Sequence, residues 1–428
     1  MEQVFLRKDV QVEPLIDQWY AWPHLIPPAT AARNLTERHM RIMQSYISAP
    51  QIHASAVKNP KMLGGPFVDY GGERVDEIKA LLNSTTAERA CLLQLSRALE
   101  ELDRMVQSRA TGESLHSLYA QVPEVLKGYV ELVYDLNNHP SFRLIEPLLY
   151  QSPFYKTEAQ SIMLSRISGD DRPFVLSTPR LPTPGSLHLK LPFASEAIDS
   201  LFAAKSKPKP LPALIELCGI SGDDEVQFSS FFTTEKPRPY LAYKGRGVRW
   251  RYFGHACILL ETQSVNFLFD PVLSYTYQTD ISRYTYEDLP DRIDFVLITH
   301  NHQDHVLFET MLQLRNKTSC VVVPRNGSGA LQDPSLRLTL EAIGFKNIVE
   351  LDEMQALKFD GGSVTGLPFF GEHADLSIRT KLAYLVELNG HRFLFAADSC
   401  NIEPTLYRHI ARQLGEARAL FVGMECDG

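Results

Sequence analysis

The chain has 428 residues, 44% hydrophobic and 22% charged, a length for two or three domains and a composition that excludes a disordered, collagen-like or coiled-coil protein. Lys and Arg number 43 and Asp and Glu 51, so the net charge of -8, with no basic run, argues against nucleic acid or an anionic membrane as a partner. No apolar stretch approaches the ~18 residues of a membrane span.

Met1–Tyr20 lacks the apolar core of a signal peptide. The six cysteines, at 91, 218, 257, 320, 400 and 426, form no C-x-x-C pair and read as reduced thiols of a cytoplasmic protein. A helix is expected over Ala31–Ile47. From Gly72 to Tyr150 the reading is helical, with Thr85-Thr86-Ala87-Glu88 as a capping box. Leu92, Leu95, Leu99, Leu102 and Met105 then mark one buried helix face, and Val125, Val130, Val133 and Leu136 a second. Strand-like runs lie between Pro173 and Phe193, and Lys205–Pro212 (KSKPKPLP) reads as a linker.

From Val248 short β-rich runs alternate with helical segments. Strands are expected at Val248–Leu260, Val265–Phe269, Asp294–Thr299, Cys320–Val323, Val364–Phe370, Leu382–Leu388, Arg392–Ala396 and Ala419–Val422. Helices are expected at Val306–Arg315, Pro334–Ile343 and Pro404–Leu414, and Asn389-Gly390 is a hairpin turn. Runs of this kind pack as sheet layers covered by helices.

The sharpest chemical signal is Thr299-His300-Asn301-His302-Gln303-Asp304-His305, which follows the apolar run Phe295–Ile298. Imidazole and carboxylate are ligands for first-row metals. His300 and His302 can share one ion, while Asp304 and His305, on the next turn, can address a second about 3.5 to 4 Å away. The bland alternative is a set of hydrogen-bonded surface histidines. Asp398 ends the apolar run Phe395–Ala397, where a carboxylate is costly unless paired or metal-bound, and could bridge the two ions. Its plain reading is a turn or helix-capping residue before Pro404. Glu372 and His373, after another strand, both offer ligand types, and spacing does not choose between them. Asp270 before Pro271 reads as a turn residue that helps to orient the histidine loop. His255 may be read as a structural, hydrogen-bonded histidine or as a support beside the metal pocket.

Thr299–His305, together with Gly254-His255, Phe269-Asp270-Pro271 and Ala397-Asp398-Ser399, resembles the metallo-β-lactamase superfamily over Val248–Gly428. The Gly371-Glu372-His373 segment, Ala396–Asn401 and the long mixed N-terminal region resemble, more narrowly, the non-haem diiron β-hydroxylases of nonribosomal peptide biosynthesis, of the chloramphenicol-pathway type. The implied fold is an α+β N-terminal domain, residues 1–246, for dimerisation or active-site cover, followed by an αβ/βα metallo-β-lactamase-like sandwich, residues 247–428. The resemblance implies two iron ions, with His300, His302 and Glu372 on one, Asp304 and His305 on the other, and Asp398 bridging. It also implies one more histidine from a later segment, so the sandwich reads as truncated at its C-terminus. Glu425 is a further candidate support, or an exposed loop acid.

An added carboxylate hardens the site and favours iron over zinc. The resemblance implies O2-dependent hydroxylation of the β-carbon of an amino acid held as a thioester on a peptidyl carrier protein. The implied partners are that carrier protein, O2, an electron donor and a second copy in a homodimer. The alternatives are a dinuclear zinc hydrolase of the same fold, acting on a lactone, phosphodiester or amide, and an inactive truncated assembly module.

Overall fold

The computed structural model describes residues 3–109, 112–169, 172, 173, 175–373 and 376–423. Packing divides the chain into two compact units that do not follow chain order. Met1–Val10, Ala194–Asn326 and Leu340–Gly428 form one unit, and Gln11–Phe193 with Gly327–Thr339 forms the other. A single cut at 246/247 therefore differs from the packing, because residues 194–246 join the C-terminal sheets. The KSKPKPLP run is no linker. Lys209–Pro210 pairs with the N-terminal strand Gln3–Leu6, whose other edge pairs with Phe232–Thr233. Pro210 then leads into the helix Leu211–Leu217. Lys205 is buried, its ammonium donating to Gln313 Oε1 at 2.7 Å beside the rings of Tyr275 and Tyr286.

The unit containing Gln11–Phe193 opens with the strands Val10–Ile16 and Trp19–Tyr20, followed by helical segments Pro28–Asn34 and Met40–Ser48, joined by a π turn over Leu35–His39. The expected capping box lies inside the last turn of the helix Val75–Glu88, so Thr85 is a buried helical residue. The next helix, Ala90–Gln107, buries the expected stripe at Leu95, Leu99 and Leu102. The second expected helical face is instead a β-hairpin, Val130–Tyr134 with Pro140–Leu144. Val130 and Leu132 point inward by strand alternation, and Leu136 in the connecting turn is fully exposed.

The other unit carries two sheets. The six-stranded sheet takes Arg249–Gly254, Cys257–Glu261, Asn266–Phe269, Ile293–Leu297, Thr318–Pro324 and Ile348–Leu351 in chain order. Its last four strands are parallel. The five-stranded sheet takes Ala356–Phe359, Gly362–Leu367, Ala383–Leu388, His391–Ala397 and Ala419–Val422. Alternation explains the layers. Tyr384, Val386 and Leu388 enter the core between the sheets with Phe267, Phe269 and Val322. Ala383 and Leu385, on the opposite face, pack with Ile410 of the helix Thr405–Leu414. Asn389 and Gly390 take left-handed φ of 50° and 76°, the geometry of a tight hairpin turn. Among the described residues no helix is long and apolar enough to cross a membrane.

Candidate metal centre

The histidine loop leaves the C-terminal end of the parallel strand Ile293–Leu297, and Asp270 leaves the end of its neighbour Asn266–Phe269. Phe269 pairs with Leu297, so the two exits lie side by side. Asp270, buried to 1% exposure, accepts from Thr299 N–H at 2.7 Å through Oδ1 and from the Thr299 hydroxyl at 2.6 Å through Oδ2. Its Oδ2 also lies 2.8 Å from His305 Nδ1. A carboxylate accepts only, so His305 carries a proton on Nδ1, and without a cation its Nε2 carries another, donated to Asp398 Oδ2 at 3.0 Å; a bound cation would take that second proton's place. The Thr299 hydroxyl has given its hydrogen to Asp270. Its contact with His300 Nδ1 at 3.0 Å therefore places the His300 proton on Nδ1 as well. One buried acid thus holds the Nδ1 protons of both imidazoles, which is the loop-orienting role expected of Asp270.

Both imidazoles turn Nε2 toward Asp398, at the end of the strand His391–Ala397 in the second sheet. Asp398 Oδ2 lies 3.0 Å from His305 Nε2 and 3.7 Å from His300 Nε2. His300 Nε2 is buried without a hydrogen-bond partner. His302 Nδ1 faces Glu372 Oε1 at 3.5 Å. The His302 ring also lies 4.3 Å from that of His373, so both residues left open by spacing reach this side. Asp304 and His255 complete the opposite side, with His255 Nε2 at 3.2 Å from both Asp304 Oδ2 and His305 Nε2. His300, His302, Asp304, His305, Glu372, Asp398 and His255 are thus gathered in one place, while Glu425 lies outside the described residues.

Several supports were not legible in advance. Phe370 N–H donates to Ser399 Oγ at 3.0 Å and Cys400 N–H donates to Phe370 O at 2.8 Å, tying the Glu372 segment to the Asp398 segment. Lys381 Nζ donates to Gly371 O at 3.0 Å, and its main chain bridges that of His300. No sequence signal marks Lys381, and Ser399, though inside the recognised Ala397-Asp398-Ser399 element, acts through a contact between distant segments. The backbone is unusual here. His255, Asp270, Glu372, His373 and Ala397 hold left-handed φ of 49°, 35°, 59°, 60° and 45°. Such non-glycine conformations cost about 1–3 kcal/mol each and gather where side chains must be aimed.

The electrostatics match a cation site. Burial, with the neighbouring imidazoles, drives the His300 pKa far below its usual value. Burial also acts to lower that of His305, but the Asp270 and Asp398 carboxylates override it and push the value up to about 10. The contact with His255 holds Asp304 down at about 2, and the contact with His305 lowers Asp398. A bound cation would displace the His305 Nε2 proton and give the buried, unpartnered His300 Nε2 something to bind. Donors of one first-row ion, each about 2.0–2.2 Å away, stand about 3.0–3.4 Å from one another. The 3.0 and 3.2 Å spacings around His305 fall in that range, and those of 3.7 Å at His300 and 3.5 Å at His302 are slightly wider.

Residues 5–237 match the family described as the diiron non-heme beta-hydroxylase N-terminal domain, and residues 265–426 match the beta-lactamase superfamily domain. Among curated proteins, the 4-amino-L-phenylalanyl-(CmlP-peptidyl-carrier-protein) 3-hydroxylase of Streptomyces venezuelae is 39% identical over 99% of this chain and 81% of its own length. A metal-dependent hydrolase of Bacillus subtilis is 42% identical over 13% of this chain and 22% of its own length. Among solved structures, that of CmlA, a diiron beta-hydroxylase from Streptomyces venezuelae, superposes with a TM-score of 0.92 at 38% identity. It covers 100% of this chain and 80% of that one.

Proposed function

The chain belongs to the diiron non-heme beta-hydroxylases, whose cofactor is two iron ions, and on that premise we propose that it hydroxylates the β-carbon of an amino acid carried as a thioester on a peptidyl carrier protein. The observation that carries the reading is Glu372 facing His302 across 3.5 Å, which adds a carboxylate to an otherwise imidazole-rich group. Carboxylate donors favour the harder, oxidised metal that O2 chemistry passes through.

On this reading His300, His302 and Glu372 hold one iron, Asp304 and His305 the other, and Asp398 stands between them. Bound there, the pair supplies the activation of O2. With two electrons and two protons from a donor, one oxygen atom would insert into the C–H bond to give the alcohol and the other would leave as water. The chain's own residues prepare for that reaction. Asp270 and Thr299 hold the Nδ1 protons of His305 and His300, so that each Nε2 faces the centre. The Ser399, Cys400 and Lys381 hydrogen bonds hold the strained Glu372 turn against the Asp398 strand end. Burial of His300 and His305 keeps that side of the centre dry.

The carrier protein, O2, an electron donor and a homodimeric partner are parts of this proposal. Incubating the iron-loaded protein with aminoacyl carrier protein, a reductant and isotopically labelled O2 tests it. One labelled oxygen atom at the β-carbon is expected. Release of the amino acid from the carrier without labelled product would favour hydrolysis instead.

A further inference from the structure

We infer that the unit containing Gln11–Phe193 carries a binding site for a small organic oxyanion, a carboxylate or a phosphate monoester, in a cleft over the strand Val10–Ile16. The inference goes beyond the hydroxylase reading and needs nothing from the iron centre.

The floor of the cleft holds polar groups that the fold itself does not need. Val10–Ile16 and Gln160–Arg166 are the two inner strands of a four-stranded sheet. Alternation puts Gln11 and Glu13 on one face, where they line a cleft of about 300 Å3 together with Met163 and Ser165 of the neighbouring strand. That volume is at the small end of small-molecule sites. Gln11 is 5% exposed and Glu13 3%. Glu13 is accounted for, because the buried Arg180 donates to both of its oxygens at 3.0 to 3.2 Å. Gln11 is not. Among the described residues its Nε2 has no hydrogen-bond partner, and a buried N–H left unpaired costs free energy.

The wall lacks acceptors and has donors. Arg166, Arg172 and Arg180 line the cleft, and Arg172 Nη1 lies 3.7 Å from Glu13 Oε1. Among the described wall residues one carboxylate, already bidentate with Arg180, thus answers three guanidiniums. Guanidinium forks match the paired oxygens of a carboxylate or phosphate, and the Gln11 amide adds a neutral donor at the buried floor. The Tyr70 hydroxyl is engaged elsewhere, donating to Pro179 O and accepting from Leu181 N–H. Met163 and Leu181 give the wall an apolar side, which suits an anion with an apolar body better than a bare inorganic one.

The test titrates the full-length protein with phenylacetate, phenyl phosphate and inorganic phosphate at constant ionic strength, by calorimetry and by melting temperature. Wild type is compared with Gln11→Leu and Arg172→Ala. At least one of the two phenyl anions is expected to bind wild type saturably and more tightly than inorganic phosphate, and the tighter of the two identifies the head group. Each variant is expected to bind it at least about 10-fold more weakly, the cost of a lost hydrogen bond to a charged group. Without ligand, Gln11→Leu is expected to melt no lower than wild type, because it removes an unpaired buried amide. A lower melting temperature would mark Gln11 as structural and overturn its assignment. No binding of either phenyl anion, inorganic phosphate bound as tightly, or equal affinity in wild type and both variants would overturn the site.

Discussion

Asp270 Oδ2 lies 2.8 Å from His305 Nδ1 and accepts from the Thr299 hydroxyl at 2.6 Å, so one buried carboxylate governs the proton positions of two imidazoles. Asp270→Asn replaces half of that acceptor with an N–H group. His305 must then accept at Nδ1, which keeps its proton on Nε2, where the cation would bind. Affinity for ferrous iron is expected to fall about 10- to 100-fold, the usual cost of losing a partner behind a metal-bound histidine. An anaerobic iron titration checks this; unchanged affinity would show that the histidines are oriented by packing alone.

Glu372→His removes one carboxylate from this centre and leaves Asp304 and Asp398 among the imidazoles. The variant is expected to favour zinc over iron and to lose hydroxylation. Elemental analysis after growth or refolding with both metals reads the preference directly. Iron retained in the same ratio as in wild type would mean that Glu372 does not select the metal.

Gly371 opens the Glu372 turn at φ 78°, and a Cβ there would lie 2.9 Å from both Cys400 Cβ and Sγ. Gly371→Ala therefore forces the Glu372 and Asp398 segments apart. The variant is expected to fold, to melt a few degrees lower and to lose the iron on the Glu372 side first. An unchanged melting temperature and two retained irons would contradict the tight packing described here.

Glu146 offers a pH test away from the metal. It is buried and accepts from Ser335 N–H at 3.0 Å, and burial raises its pKa from 4.5 to about 7. The unfolded chain releases this proton more readily than the folded one. The group's contribution to stability is therefore full below pH 4.5 and is lost as pH rises toward about 7. Glu146→Gln is expected to flatten that slope, by up to about 3 kcal/mol across the window. Parallel melting curves of the two proteins between pH 5 and 7 would refute it.

The sandwich was legible because its signals are local. Apolar runs such as Ala383–Leu388 alternate in register with two covered faces, and the histidine loop carries four candidate ligands within six residues of continuous chain. What failed depended on partners far away. Lys209–Pro210 looks like a linker until the N-terminal strand pairs with it. Val130 and Val133 share a helical spacing, yet Val130 and Leu132 bury by strand alternation once Pro140–Leu144 lies alongside. In the site, Thr299 sat inside the recognised motif, but its relay from Asp270 to His300 needed the pairing of Phe269 with Leu297. Ser399 and Lys381 are ordinary polar residues in sequence. Their importance arises only where strand ends meet.

The central claim is that two irons occupy the cluster formed by His300, His302, Asp304, His305, Glu372 and Asp398. Metal analysis of the purified full chain, joined to its visible and Mössbauer spectra, tests it most directly. Two irons per chain with the signature of a coupled ferric pair are predicted. A colourless protein carrying zinc, or iron bound at one uncoupled position, would contradict the account.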